Sequence, residues 1–594
     1  MAVTSPDPQA LIVAGNAAED EGRPSDALKL YDQAIAVAPE FARAHLNRGN
    51  ALMALQDFDA AIKAFETAFR HDPALAGAHY NIGNALARQR RYDEACSAYL
   101  TALSLQPGFV DAEVALASAL DELGKLEEAV IHYRRALQAQ PGLAPVYGNL
   151  GAVLVKQRRF AEAVAAFRRA LELDHNLKRH SNLIFLENSR AGSSPAALLE
   201  LARSFEVAAA REAKIVVAWP NSPETERVLR IGFVSGDLCA HPVGYFLLSF
   251  LTALKAHAAG RLELYAYSHR SRADNVSARI QAQCHVWRQV HALDDEALVR
   301  QIGEDRIDIL IDLSGHTGEN RLPAFAWKPA PVQATWLGYL GTTGVAAIDY
   351  LIADDWTLPP ESEPQFTEKI WRLPRSYLCF TPPDEDGTIG PLPALTNGYV
   401  TFGSFNNLTK VGPEVVSLWA RVLHAVPGSR LLLKTLQFIE PSVRQDVAQQ
   451  FARYGISSSR LMLEPPVPRA DYLKPFNRVD IALDPFPYPG ITTSVECLWM
   501  GVPFVTLAGG TFMARQGVGL LNNAGLPDWI AADEDEYVKL AARRAGELHT
   551  LQQLRQELRA RVLASPIFDA RSFARNFESA MRGMWRAWCA RQGQ

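Results

Sequence analysis

Cysteine is scarce in this chain: six residues in 594 (Cys96, Cys239, Cys284, Cys379, Cys497 and Cys589), with no C-x-x-C and no paired spacing. That excludes a disulfide framework and a cysteine-rich zinc site, and it matches thiols kept reduced in a cytoplasm. An excess of charge is missing too. The formal net charge of -5 is small for this length and gives no electrostatic footprint for nucleic acid. Long apolar runs are also missing: the longest, near Tyr245–Leu254, is too short to span a bilayer. The first residues, MAVTSPDPQA, lack a basic segment followed by an apolar one, so no signal peptide is expected. What remains is ordinary, with 48% hydrophobic and 21% charged residues. We therefore expect a folded, cytoplasmic protein without membrane insertion, too long for one core.

Against this background one pattern stands out. Ala27, Ala61, Ala95, Ala129 and Ala163 are spaced by 34 residues, each followed four residues later by an aromatic: Tyr31, Phe65, Tyr99, Tyr133 and Phe167. Ala34, Ala68, Ala102, Ala136 and Ala170 repeat the period, as do Gly15, Gly49, Gly83 and Gly151, with Ala117 in the remaining slot. Pro39, Pro73, Pro107 and Pro141 close the first four repeats; His175 stands at the fifth. This is the tetratricopeptide period, one antiparallel helix pair per repeat. Small residues let the two helices approach, the aromatic fills the space between them, and proline ends the second helix. Such arrays stack into a superhelix whose concave groove holds another polypeptide. Asn47, Asn81 and Asn149 recur at one repeat position, where Ala115 interrupts the series. A side-chain amide both donates and accepts, so these residues could hold a peptide backbone.

The repeats span 8–176, and a polar helical connector follows over 177–227. From Val228 the pattern changes to short β-rich runs alternating with amphipathic helices. Candidate strands at Val228–Val234, Leu262–Ser268, Ile307–Leu313 and Val332–Trp336 define a first lobe, 228–390. Others at Tyr399–Ser404, Arg430–Lys434, Leu461–Glu464, Asp480–Leu483 and Pro503–Leu507 define a second, 391–568. A Pro/Gly/Asp-rich stretch, Thr381–Asn397, separates them. Alternation of strand and helix implies parallel sheets covered on both faces, with ligands at the carboxyl ends of the strands. The last segment, 569–594, reads as a helix bearing Trp585 and Trp588 that packs back on this region.

Three segments carry candidate chemistry. Tyr399–Lys410, followed by Val411-Gly412-Pro413, ends a strand in a polar loop before a helix. A lysine there, Lys410, beside free backbone N–H groups suits a phosphate; a solvated loop lysine is the alternative. Asp484–Gly501 turns through Pro and Gly into a short helix near Thr492. Thr492 and Thr493 could meet a diphosphate at the positive helix end, and Glu496 a ribose. Thr493-x-x-Glu496 also fits a capping box. Ser235–Tyr245 places His241 before Pro242, at a helix N-terminus that favours neutral imidazole. There it could take a proton, orient a hydroxyl, or merely cap the helix. His316, after another strand, is a possible cleft residue with the same ambiguity. Asp384-Glu-Asp386 and Asp533-Glu-Asp535 match the Asp-x-Asp string of metal-dependent sugar transfer. Both lie in loops and read as solvated surface, so no metal is expected.

At these residues the chain resembles the O-linked N-acetylglucosamine transferase family, including its plant SPINDLY branch. The resemblance rests on Phe402–Lys410, Pro329–Tyr339 and Phe486–Thr493, together with the repeats. It implies a tetratricopeptide superhelix followed by an α/β catalytic region of the GT-B type, with two Rossmann-like lobes. It also implies inverting, metal-independent transfer from a nucleotide sugar to protein Ser or Thr, with no further cofactor. UDP-GlcNAc is the expected donor. By resemblance, His241 takes the place of the active-site histidine and Lys410 that of the diphosphate lysine. Asn407, Val467, Pro468, Arg469, Tyr472, Gly490, Ile491, Thr492, Thr493 and Glu496 fall at or beside donor contacts. Asn47, Asn81 and Asn149 fall on the acceptor-holding asparagines of the groove. Ile491 and Tyr472 stand where the animal enzymes have histidine, Glu496 replaces an aspartate and Asn407 a glutamine. Phe402–Lys410 and Leu313–Thr317 look closer to SPINDLY, which moves fucose from GDP-fucose. The donor's base and sugar are therefore left open between these two, or another sugar nucleotide. A repeat scaffold with an idle catalytic region is the reading outside enzymes.

Overall fold

The computed structural model describes residues 7–384, 387–468 and 471–592. The chain forms two compact units, divided between Arg179 and His180.

In the first unit, helices of 13 and 14 residues alternate, from Pro8–Asp20 and Pro24–Val37 to Ala144–Lys156 and Phe160–Leu173. The periodic alanines of the second helices, from Ala27 to Ala170, are fully buried. At Gly15, Gly49, Gly83 and Gly151 an added Cβ would fall 2.3, 2.3, 2.4 and 2.9 Å from a ring carbon of Tyr31, Phe65, Tyr99 and Phe167. The ring of each second helix thus lies against bare backbone of the first, which is why glycine recurs with the aromatic. Consecutive first helices also touch one another, as expected of the inner layer of a curved stack. Along that layer Asn47 Nδ2 donates to Asn16 Oδ1 at 2.8 Å, and Asn81 Nδ2 to Asn50 Oδ1 at 3.0 Å.

The second unit contains two parallel sheets. The first has strands β1 (Leu229–Ser235), β2 (Leu262–Ser268), β3 (Val286–Gln289), β4 (Ile309–Asp312), β5 (Val332–Thr335), β6 (Tyr350–Ala353) and β7 (Lys369–Arg372). Their order is β3-β2-β1-β4-β5-β6-β7. The second has β8 (Thr401–Ser404), β9 (Arg430–Lys434), β10 (Leu461–Glu464), β11 (Ile481–Leu483), β12 (Phe504–Leu507) and β13 (Ile530–Ala531), in the order β10-β9-β8-β11-β12-β13. Central strands such as β4 (Ile-Leu-Ile-Asp) are buried along their length, because helices cover both faces. β3, β6, β7 and β13 do not appear among the strands expected from sequence. β3 (Val-Trp-Arg-Gln), β7 (Lys-Ile-Trp-Arg) and the two-residue β13 lie at sheet edges and carry no apolar run.

Residues 180–227 pack on the first lobe. Asn188 Nδ2 donates to Leu340 O at 3.0 Å, Ala346 N to Glu206 Oε1 at 3.0 Å, and Trp219 Nε1 to Lys328 O at 3.0 Å. The final helix, Ala570–Gln592, returns to the same lobe. Phe573 and Phe577 meet Phe250 with ring centres 5.2 and 4.7 Å apart, and both rings lie beside Trp336. Farther along, Trp585 Nε1 donates to Glu224 O at 3.0 Å. The chain therefore crosses between lobes twice, and the two crossings are joined where Phe380 N donates to Ile567 O at 2.7 Å. Among the described residues no helix is long and apolar enough to cross a membrane.

Candidate active site

Both strand orders reverse direction once, and parallel sheets bind ligands at such a switch point, beyond the carboxyl ends of the strands. In the second sheet the switch lies between β8 and β11. Loop 405–412 leaves the first of these strands, and loop 484–491 the second. In the first sheet it lies between β1 and β4, where loops 236–241 and 313–317 begin. Phe185 links the second-sheet set to the loop after β5 of the first sheet. Its ring centre lies 6.0 Å from that of Tyr488 after β11 and 6.5 Å from that of Tyr339 after β5.

Lys410 is the centre of the second-sheet site. Its Nζ donates to Pro489 O at 2.9 Å and sits 3.8 Å from the centre of the Tyr488 ring. Burial pushes the ammonium down to about 8, while the Asp484 carboxylate pulls the other way. It is not the solvated loop lysine. Asp484 directly follows β11 and is buried; burial raises its carboxyl to about 7, against hydrogen bonds and the attraction of Lys410. It accepts from Gly490 N at 2.7 Å, Thr506 Oγ1 at 2.9 Å and Ser494 Oγ at 3.3 Å. An aspartate thus fixes the Pro/Gly turn from below while the lysine lies across it. At Gly490 a Cβ would come within 2.4 Å of Ser494 Oγ and 2.6 Å of Thr493 Oγ1, so only glycine brings the turn this close to the helix.

That helix, Thr492–Trp499, starts after Ile491 with no side chain capping it. The capping box read from Thr493 and Glu496 does not form. Thr493 Oγ1 instead donates to Asn406 Oδ1 at 3.1 Å, tying the two loops together. Glu496 is buried and accepts from Tyr472 OH at 2.6 Å. Asn407, at the exposed edge, accepts from Thr409 N at 3.0 Å and Gln437 Nε2 at 2.6 Å. Val467 is half-buried and Pro468 exposed; Arg469 lies outside the described residues. The arrangement offers a cation, uncapped N–H groups and a carboxylate–phenol pair on two adjoining loops and one short helix. That set suits an oxyanion such as a diphosphate, with a polar group next to it.

His241 caps the helix Pro242–His257, its Nδ1 accepting from Val243 N at 3.4 Å, with Asp237 Oδ1 at 3.7 Å. Partial burial lowers its pKa, opposed by Asp237 and reinforced by Arg270. With Nδ1 an acceptor, the neutral ring carries its proton on Nε2 and presents a donor. His316 must be corrected: it does not face a cleft. It is buried, its Nδ1 3.0 Å from Ser181 Oγ and its Nε2 2.9 Å from Thr343 O. Phe205 and Tyr339 meet it edge-on. Burial lowers it to about 3; this neutral ring holds Ser181 to the loop at Thr343. Asn47 is buried, Asn81 half-buried and Asn149 exposed on the first helices of their repeats, so the three do not present equal amides.

Sequence reasoning missed Asp484, Tyr488, Asn406 and Gln437 as site residues. Asp484 carried a usable signal, an acid directly after an apolar strand and before Pro-Phe-Pro-Tyr-Pro-Gly. Gln437 comes from a separate loop and had none.

The profile described as "Glycosyl transferase family 41" matches residues 212–381 and 392–577. Tetratricopeptide profiles match 12–74, 46–108, 80–144 and 144–177. The "probable UDP-N-acetylglucosamine–peptide N-acetylglucosaminyltransferase SPINDLY" of Petunia hybrida is 42% identical over 377 residues, 63% of this chain and 40% of that protein. The corresponding SEC protein of Arabidopsis thaliana is 31% identical, over 61% of this chain and 38% of its own length. The chain thus spans well under half the length of these curated relatives. The solved structure of a Thermobaculum terrenum O-GlcNAc transferase mutant superposes with a TM-score of 0.78 at 38% identity, covering 88% of this chain and 99% of that one.

Proposed function

The chain belongs to glycosyltransferase family 41, and from that premise we propose that it transfers a sugar from a nucleotide donor to Ser or Thr hydroxyls of acceptor proteins held by its repeats. One observation carries the reading: Lys410 and the uncapped start of the helix Thr492–Trp499 converge at the switch point between β8 and β11. A departing nucleoside diphosphate needs such a cation and such amides. The acceptor oxygen attacks the anomeric carbon from the face opposite the diphosphate, inverting it, and no metal takes part. His241, with its proton on Nε2, orients the reacting oxygen; the hydroxyl proton passes to the departing diphosphate as its bond to the anomeric carbon breaks. Glu496 and Tyr472 lie where the donor's ribose and base would be sorted.

UDP-GlcNAc is the donor we assign, the one in the names of the plant relatives. GDP-fucose is the second reading, favoured by the likeness of Phe402–Lys410 and Leu313–Thr317 to SPINDLY, while Ile491, Glu496, Asn407 and Tyr472 leave the donor open. Calorimetric titration with the two nucleotide sugars side by side separates them, because the wrong base leaves buried polar groups unpaired. Binding of neither, or binding undisturbed by Lys410→Ala, refutes the assignment of these residues as the donor site.

A further inference from the structure

Away from the switch points, a groove of about 760 Å³ lies between the helix Pro242–His257, the helix Asn275–Gln281 and the start of the last helix. We propose that this groove binds a phosphate monoester carried on an apolar body. Its volume falls in the range of small-ligand sites, roughly 300–1,000 Å³. Leu248, Ala253, Ala256, Ala282 and Ala570 give it an apolar floor. Its charged lining is basic: Arg279, Arg571, Arg575 and His257.

The charges are unevenly spoken for. Arg279 pairs with Asp384 at 3.0 Å, and His257 with Glu578 at 3.0 Å. Arg571 and Arg575, one turn apart on the last helix, form no ion pair with a described residue. Arg575 donates to Ser572 Oγ at 2.7 Å; Asp569, within the field of Arg575, accepts from Ser572 N at 3.0 Å. Two guanidinium groups left without a paired carboxylate match a phosphate monoester, which carries about -1.5 to -2 at neutral pH. A guanidinium fork also holds two of its oxygens at once. A bare anion would leave the alanine and leucine floor wet, and an apolar body covers it.

The position gives such a ligand leverage. Ser249 in the groove wall donates its N–H to Thr381 Oγ1 at 3.0 Å, and Arg279 holds Asp384; both partners belong to the first crossing between lobes. Ala570, Arg571 and Arg575 directly follow the second crossing. An occupant therefore lies on the helix that His241 caps, against residues bonded to the first crossing and residues that follow the second.

Titration of the full chain with 1-naphthyl phosphate, 1-naphthoate and inorganic phosphate tests this. The expected result is one-to-one binding of the naphthyl ester by the wild type and by Lys410→Ala alike. The carboxylate and bare phosphate should bind roughly tenfold or more weakly by comparison. Arg571→Glu with Arg575→Glu should remove that binding, and Ala253→Trp should remove it by filling the floor, with thermal midpoints unchanged. If the double reversal unfolds, Arg575→Gln decides with a smaller perturbation. No binding, binding lost in Lys410→Ala but kept in the arginine variants, or naphthoate as good as the ester would each overturn the proposal.

Discussion

The Lys410 ammonium lies 3.8 Å from the centre of the Tyr488 ring, on the same turn whose Pro489 carbonyl it binds at 2.9 Å. Lysine and turn come from different strands, so this contact fixes the two sides of the switch point relative to each other. The ring and the carbonyl hold the cation where a carboxylate would neutralise it. Asp484 stays behind the turn, occupied with Gly490, Ser494 and Thr506. The charge thus remains available to a ligand.

That availability has a pH signature. Burial lowers Lys410 from 10.5 to about 8, so it is charged below that value and neutral above it. Diphosphate affinity should be flat from neutrality to about pH 8 and fall as pH rises further, by up to about tenfold per unit. For stability the sign is opposite: the folded chain sheds this proton before the unfolded one, so the cost of the buried cation is relieved above about pH 8. Calorimetry with UDP across this range measures the affinity limb. Lys410→Ala should give a weak, level profile.

Asp484→Asn keeps the shape of the acceptor toward Gly490 and removes the charge that raises Lys410. The alkaline limb should then begin at lower pH than in the wild type. A role confined to holding the turn would leave the limb where it is and reduce affinity evenly across pH. The two outcomes are read from the same titration.

In the repeats, Gly49→Ala sets two effects against each other. Alanine favours a helix interior over glycine by about 1 kcal/mol, but its Cβ would sit 2.3 Å from the Phe65 ring. Overpacking of this kind costs about 1–3 kcal/mol, so urea unfolding should find net destabilisation. Combining it with Phe65→Leu should return part of the loss, since the side chain that clashes is then smaller.

Asn81→Ala removes the 3.0 Å bond to Asn50 and should cost about 1 kcal/mol. If the inner layer holds acceptor proteins, turnover on a protein acceptor should fall several-fold while calorimetric donor binding is unchanged. Equal turnover would remove this residue from the acceptor path.

The repeat period was legible because the small and aromatic residues that recur in sequence are the ones that touch in space, as Gly49 and Phe65 do. The central strands were legible because burial on both faces leaves them almost wholly apolar. Short strands such as β3 and β13 were not, because their pairing comes from neighbouring strands rather than from their own pattern. At the site, Lys410 and Thr492 follow strand ends and could be named. Asp484, Tyr488 and Asn406 act only through contacts made after the loops meet. His316 shows the converse error, since a histidine after a strand reads alike whether it faces a ligand or, as here, Ser181 and Thr343.

The central claim, sugar transfer to protein through Lys410, is tested most directly by intact-mass spectrometry of proteins co-expressed with the wild type and with Lys410→Ala. The account predicts acceptor species heavier by whole sugar residues on Ser or Thr with the wild type, and unmodified acceptors with the variant although its repeats remain folded. Equal modification by both chains, or none by the wild type on any acceptor its repeats capture, would contradict it.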